Sequence, residues 1–440
     1  MREISRFKPL AVAVAAAFAA FACGGTTSTS TGGGAANKGT IVIGIDLPES
    51  GGEASNGVPT MNGVKFAVQQ IKSVKGFKLD TVNFDDAVNG VHDPQKGAQN
   101  VNQMLANPDV LAMVGPFNSN VARAEIPITN AADLVQVSPA NTNECLTADF
   151  SYCDPHPLAL RPAGHPNNYF RVAATDNHQG PAVADYAYDV LHLKKVAVAS
   201  DNETYGKGIA DNFQKEFEKK AGSSSATVAR QDFDMTSTSD FKPFLTAAKS
   251  KGAEGIYFGG TDSNKVCTAR FQMKGIFDAT VPYMGGDGIV TRKCIDDAAD
   301  NAAGMYGSVA AVDPSKVPTA AGTISAFKKA FTSPSDYGSY TVPAYSATQA
   351  VVAALSIAID SAGGKKPTRA QVRAAMYKVK NVKTPIGTIS FDKNGDVIPQ
   401  IITVYQLKAN VSAQEQADTP SCGTTAKTNC WVFAKSVTPK

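Results

Sequence analysis

Histidine is scarce in this chain, five in 440 residues, and no HExxH or other paired spacing joins them, so there is little from which to build a metal centre. Asp85, Asp86, His92 and Asp93 can be drawn as a cluster, but Asp93 precedes Pro94 and is better explained as a helix N-cap. No CxxC occurs, which weakens any zinc or redox reading. No GxGxxG or Walker motif opens a helix, and the one dense glycine run, Gly32-Gly33-Gly34, lies in a tether; dinucleotide and NTP binding lack their signature. No GxSxG elbow supports a serine hydrolase. Charged residues are few, at 18%, and of the net +3 the three cations and one anion among Arg2, Glu3, Arg6 and Lys8 supply +2 from a segment expected to be removed. With no basic stripe, nucleic acid is not an expected partner. These absences point to a protein that is not an enzyme and carries no cofactor.

What the chain does contain is apolar residue, 43% of its length, enough to bury the cores of two domains. Residues 1–23 combine a basic start, an apolar centre at 10–21 too short to span a bilayer, and small residues before Cys23, which reads as a secretory signal. Its end, Ala20-Phe21-Ala22-Cys23-Gly24, resembles a bacterial lipobox whose cysteine is lipidated, departing from the usual pattern at Ala20 and Phe21. Residues 24–39 lack apolar periodicity and are expected to form a flexible tether with a reach of roughly 20 Å. Setting Cys23 apart leaves six cysteines, which fall as Cys145 and Cys153, Cys267 and Cys294, Cys422 and Cys430. An exported chain meets oxidising conditions, and pairing by proximity is the simplest of the possible connectivities.

From residue 40 strand and helix patterns alternate. TIVIGIDL at 40–47 reads as a buried strand, a Gly-rich loop follows at 50–57, and 61–73 carries one apolar helical face. A second strand is expected at 77–85, a helix from Asp93-Pro94 to about Asn107, and a second set of alternations from Lys195, with a helix at 207–221. Residues 343–360 form a strongly apolar helix, and 387–392 with Asn394-Gly395 a hairpin. The order β-α-β-α argues for doubly wound parallel sheets, and two sets imply two lobes.

The best anion site is the stretch 111–130, LAMVGPFNSNVARAEIPITN. A buried strand closes there on Gly115-Pro116 and a helix opens at Asn118-Ser119-Asn120, all capping residue types. Unpaired N–H groups and the positive end of the helix dipole would face a carboxylate beyond the strand. The next strand repeats the arrangement, running from 134–137 into Ser138-Pro139-Ala140-Asn141-Thr142, so two adjacent strand ends offer donors to one crevice.

Asp85-Asp86 with Asp93-Pro94, VSPANT at 137–142, Gln179-Gly180-Pro181, DNETYG at 201–206 and IYFGG at 256–260 follow in that order. Together they make the chain resemble, from about residue 40 to 407, the periplasmic binding proteins of the branched-chain amino acid type, receptors of LIV-type ABC importers. The resemblance implies an α/β fold of two doubly wound parallel-sheet lobes joined by three crossovers, near Asp176, Val309 and Val397. Lobe 1 is then 40–176 plus 310–397 and lobe 2 is 177–309 plus 398–440. It also implies that Ser119 and Thr142 hold a ligand α-carboxylate, that the Ala140 carbonyl and Asp287 take the ammonium group, and that Tyr205 closes from the second lobe. Asn56 and Thr261 stand where branched-chain receptors place aromatic side chains, and Asp287 is shorter than the usual glutamate. With Phe117 as an apolar contact beside Asn118, the expected pocket is more polar than Leu, Ile or Val needs, which suits an amino acid or amide-like solute. The expected partners are that solute, a membrane ABC permease and a lipid anchor, the chain itself being a monomer. The alternative is a sensor domain of the same fold that signals to a partner.

Overall fold

The computed structural model describes residues 38–161, 165–424 and 427–439. The signal-like segment with Cys23 and nearly all of the tether lie outside these residues. The first strand, Thr40–Leu47, buries Ile41, Ile43, Ile45 and Leu47 completely, as a strand covered on both faces should. It lies inside a six-stranded sheet between Phe77–Asp85 and Val110–Val114, followed outward by Val135–Ser138 and Tyr169–Arg171. These pairings are parallel, and only the short Ser73–Val74 at the far edge runs antiparallel.

A seven-stranded sheet takes the later chain in the order Thr227–Asp232, Val196–Ser200, Gly255–Gly259, Tyr283–Gly285, Met305–Val309, Ile402–Lys408 and Cys430–Val437. Its first five strands are parallel. The last two are antiparallel, because Ile402–Lys408 enters directly from a chain connection rather than through a returning helix. The expectation of parallel sheets therefore holds for the core and not for this edge. The chain passes between the sheets after Arg171, after Val309 and before Ile402. The connections are tied together: Ala174 N–H donates to Ala310 O at 2.8 Å, and Thr175 donates through both N–H and Oγ1 to Gln400 Oε1 at 2.9 Å.

Helices start earlier than the sequence reading places them. The expected loop 50–57 is a short turn of helix, Gly51–Glu53, leading into Ala54–Ile71, so Asn56 is helical. Gly57 serves contact there rather than a turn, since a Cβ on it would lie 1.8 Å from Pro48 O. The helix expected from Lys207 begins at Thr204, which puts Tyr205 in its first turn, and a helix begins at Asp176, ahead of Gln179. Thr341–Ser361 is long and apolar enough to cross a membrane by length and composition, but it is largely buried and packs on Ala54–Ile71. Disulfides join Cys145 to Cys153, Cys267 to Cys294 and Cys422 to Cys430.

The two long helices meet at Gly63, where a Cβ would stand 2.1 Å from Thr341 O. Gly63→Ala is expected to cost about 1–3 kcal/mol by forcing them apart, a loss of the size that overpacking produces. Urea denaturation would read it, and an unchanged midpoint would show that the contact gives way freely.

Candidate ligand-binding site

Two neighbouring strand ends of the first sheet build one wall. Val110–Val114 ends at Gly115, whose φ of +135° and closeness to Asp46, with a Cβ due 2.2 Å from Asp46 O, restrict the position to glycine. Helix Ser119–Ala131 follows with Asn118 in the N-cap position. The Asn118 side chain makes no cap bond, so the first-turn N–H groups of the helix are not capped by it. The second strand end is stitched to the first. Ser138 Oγ donates to Pro116 O and accepts from Asn141 N–H, both at 2.8 Å, and Asn141 Nδ2 donates to Phe117 O at 2.7 Å. Asn143 N–H reaches Ser119 Oγ at 3.4 Å. The fully buried Arg171 holds the loop from behind, donating to Asn143 O at 2.7 Å and, through Nε, to Asp396 Oδ1 at 2.6 Å.

The facing wall comes from the second sheet. Tyr283–Gly285 runs into Gly286-Asp287-Gly288, and Asp287 Oδ1 accepts from Gln179 Nε2 at 2.8 Å and from the Tyr205 hydroxyl at 3.0 Å. The Tyr340 hydroxyl also favours the charged form of this carboxylate. Burial raises the Asp287 pKa and these donors offset part of the rise; buried Asp176, within electrostatic reach, is itself raised by burial, Glu144 and Asp287. Burial and the same two aspartates also push the Tyr205 phenol up, so it stays a donor.

Phe117, Asn118, Ser119, Ala140 and Thr142 from one side and Tyr205, Thr261, Asp287 and Gly288 from the other line a single cavity of about 10 Å³, room for roughly one water. The sides are closed on each other. Arg123 donates to Thr204 Oγ1 at 3.0 Å, Asn143 Nδ2 to Thr204 O at 2.9 Å, and Ser55 Oγ to Asp262 Oδ2 at 3.0 Å. Asn56 stands apart from this cavity. It donates to Asp262 Oδ1 at 3.3 Å, and it lines a larger cleft of about 560 Å³ that the cavity borders at Phe117.

Sequence reasoning missed Gln179, Tyr340 and above all a relay of Glu53, His92 and Glu203. His92 Nδ1 lies 2.7 Å from Glu53 Oε2, and Nε2 lies 2.7 Å from Glu203 Oε2 across the cleft. Glu53 also accepts from Ser263 at 2.6 Å and from Asn118 at 2.7 Å. Burial alone would lower the His92 pKa, but the two glutamates outweigh it and raise it well above the ordinary value; burial alone would raise Glu53, but the His92 charge and its hydrogen bonds hold it low. Asp86 and Asp201 face the same imidazole at longer range. A lone histidine beside a Gly-rich loop gives no sequence signal for this pairing. Gln179 does lie in one of the family-like motifs, Gln179-Gly180-Pro181.

Two α/β sheets, three tied connections and a closed crevice at paired strand ends define a two-lobed solute-binding protein. The sequence pattern of the periplasmic binding protein family matches residues 40–414, and the chain belongs to that family. An "amino acid binding protein" of Pseudomonas aeruginosa is 27% identical over 83% of this chain and 90% of its own. A leucine-, isoleucine-, valine-, threonine- and alanine-binding protein of the same organism is 27% identical over 90% and 96%. Among solved structures, a leucine-binding protein of Thermotoga maritima superposes with a TM-score of 0.72 at 22% identity, over 91% of this chain and 99% of that one. A solute-binding protein of R. palustris, in complex with 4-hydroxybenzoate, reaches 0.72 at 17% identity over 91% and 97%. At these identities the structures establish the fold alone.

The relay gives a pH signature. With a folded pKa above the unfolded value of about 6.5, the stability His92 contributes is full below about pH 6.5 and is lost as pH rises through the folded value. Denaturation at several pH values should show that loss, and His92→Gln should remove it while lowering stability near pH 6 by about 1–3 kcal/mol. Parallel profiles for the two proteins would mean that the His92 pKa is the same in the folded and the unfolded chain.

Proposed function

We propose that this chain is the extracytoplasmic receptor of an ABC importer and binds an α-amino acid between its two lobes, 40–176 plus 310–397 and 177–309 plus 398–440. The observation that carries this reading is the pairing, in one cavity, of a donor-rich wall at Ser119 and Thr142 with a buried carboxylate at Asp287. A zwitterion needs that division: donors for its carboxylate, an acceptor with negative charge for its ammonium. The Ala140 carbonyl completes the acceptor side. An aromatic acid, as in the R. palustris protein, brings a carboxylate and no cation, which leaves Asp287 uncompensated. Names of the curated relatives point the same way, to amino acids.

In this reading the solute docks first on the Ser119 and Thr142 lobe, and the lobe carrying Tyr205 and Asp287 then swings in about the three connections. Export through the segment 1–23, lipidation at Cys23, a monomeric state and a membrane permease as partner complete the proposal.

A thermal-shift screen against the common amino acids, small amides and hydroxybenzoates tests it, because a ligand at a hundred times its Kd adds about 2.7 kcal/mol of stability. A shift with amino acids supports the reading, and a shift with benzoates alone overturns it. Asp287→Ala should weaken amino acid binding roughly a hundredfold or more with the circular dichroism spectrum unchanged. Because the Asp287 pKa is raised, its charge is lost at a higher pH than an ordinary carboxylate's. Calorimetry from about pH 8 to about pH 4 should show affinity falling early in wild type and no such fall in the variant's residual binding.

A further inference from the structure

Two oxygens of residues lining the cavity are buried without a hydrogen-bond partner among the described residues, Thr142 Oγ1, which the reading above gives to the ligand carboxylate, and Asn118 Oδ1, which can only accept. Asn118 is 5% exposed and lines the cavity beside Ser119 and Thr142. Its Nδ2 donates to Glu53 Oε1 at 2.7 Å, while its Oδ1 is buried with no hydrogen-bond partner among the described residues. The amide cannot simply turn over. A reversed Asn118 would set its oxygen against the Glu53 carboxylate at the same distance, exchanging a charge-assisted hydrogen bond for repulsion. Glu53 is fully buried and is fixed in turn by His92 and by Ser263 from across the cleft, so the orientation is anchored by both lobes.

We infer that Asn118 Oδ1 selects the ligand's side chain: the solute is a small α-amino acid whose side chain presents an uncharged N–H or O–H donor, a hydroxyl or a carboxamide. This rests on the amino acid reading above and narrows it. An aliphatic side chain would cover the oxygen without satisfying it, and a buried acceptor left unpaired costs more than the hydrogen bond it forgoes. A cationic side chain finds no charge here to answer, because Glu53 already has His92 as its counter-charge. Phe117, packed edge-on against Tyr340 with centroids 5.4 Å apart, gives the side chain one apolar flank, which sets the size but not the chemistry.

The test is calorimetry on the full chain with matched pairs, threonine against valine and asparagine against leucine, repeated on Asn118→Leu. Wild type should bind the polar member of at least one pair about tenfold more tightly or better, and Asn118→Leu should cancel or reverse that ratio. Equal or tighter binding of valine and leucine by wild type overturns the inference and leaves the amino acid reading standing. Failure of any α-amino acid to bind overturns both. The wild-type ratios decide the matter alone if Asn118→Leu does not fold, and an unchanged ratio in a folded Asn118→Leu removes Asn118 as the discriminator.

Discussion

A guanidinium with no access to water dictates the shape of the carboxylate side of this cleft. Arg171 is the last residue of its strand and is fully buried, so its donors must all find acceptors in the protein. It takes them from Asn141 O, Asn143 O, the Thr147 hydroxyl and Asp396. Those acceptors bracket Thr142, whose loop is thereby bent around the charge rather than left to its own preferences. Asp396 lies just before the third connection between the sheets, and its backbone pairs with Arg171 as well. The loop that carries Thr142 and a connection between the two sheets are thus fastened to the same ion pair.

Across the cleft the problem has the opposite sign. Asp287 is buried there within electrostatic reach of Asp176 on the facing side, which itself feels Glu144 and, with opposite sign, Arg171, and none of the residues lining the cavity carries a positive charge. Phenols and an amide soften the cost at Asp287 without neutralising it. A second group of acids is handled differently, with His92 set between Glu53 and Glu203. One acidic group is balanced from within the protein, and the other is left for the ammonium of the proposed solute to balance.

Much of this was legible in the sequence, and the limits have physical reasons. The strand ends at Gly115 and Ser138 could be read because a buried strand, a glycine and capping residues are local signals, and Ser119, Thr142, Tyr205, Thr261 and Asp287 do meet in one cavity. Asn56 did not join them. Its helix starts earlier than the glycines suggested, since Gly57 and Gly63 serve close packing and not flexibility. His92 and Glu203 are 111 residues apart, and no periodicity records a pairing made only when two lobes touch. The antiparallel strands at the edge of the second sheet went unread for a similar reason, because their partner strand arrives through a crossover from the other lobe.

These two treatments of buried acid bear on how closure discriminates. Contacts such as Ser55 with Asp262, Arg123 with Thr204 and His92 with Glu203 join protein groups alone and favour closure whatever is bound. Taken alone they would let an empty receptor close as readily as a loaded one. Asp287 acts against them, since bringing the lobes together without a cation leaves its carboxylate dry and without a counter-charge. A ligand shifts the balance only by what it contributes to the closed state and not to the open one, and the proposed amino acid would contribute through its ammonium at Asp287. The cross-lobe bonds then set how tightly a solute is held, and the acidic side sets which solutes are held at all.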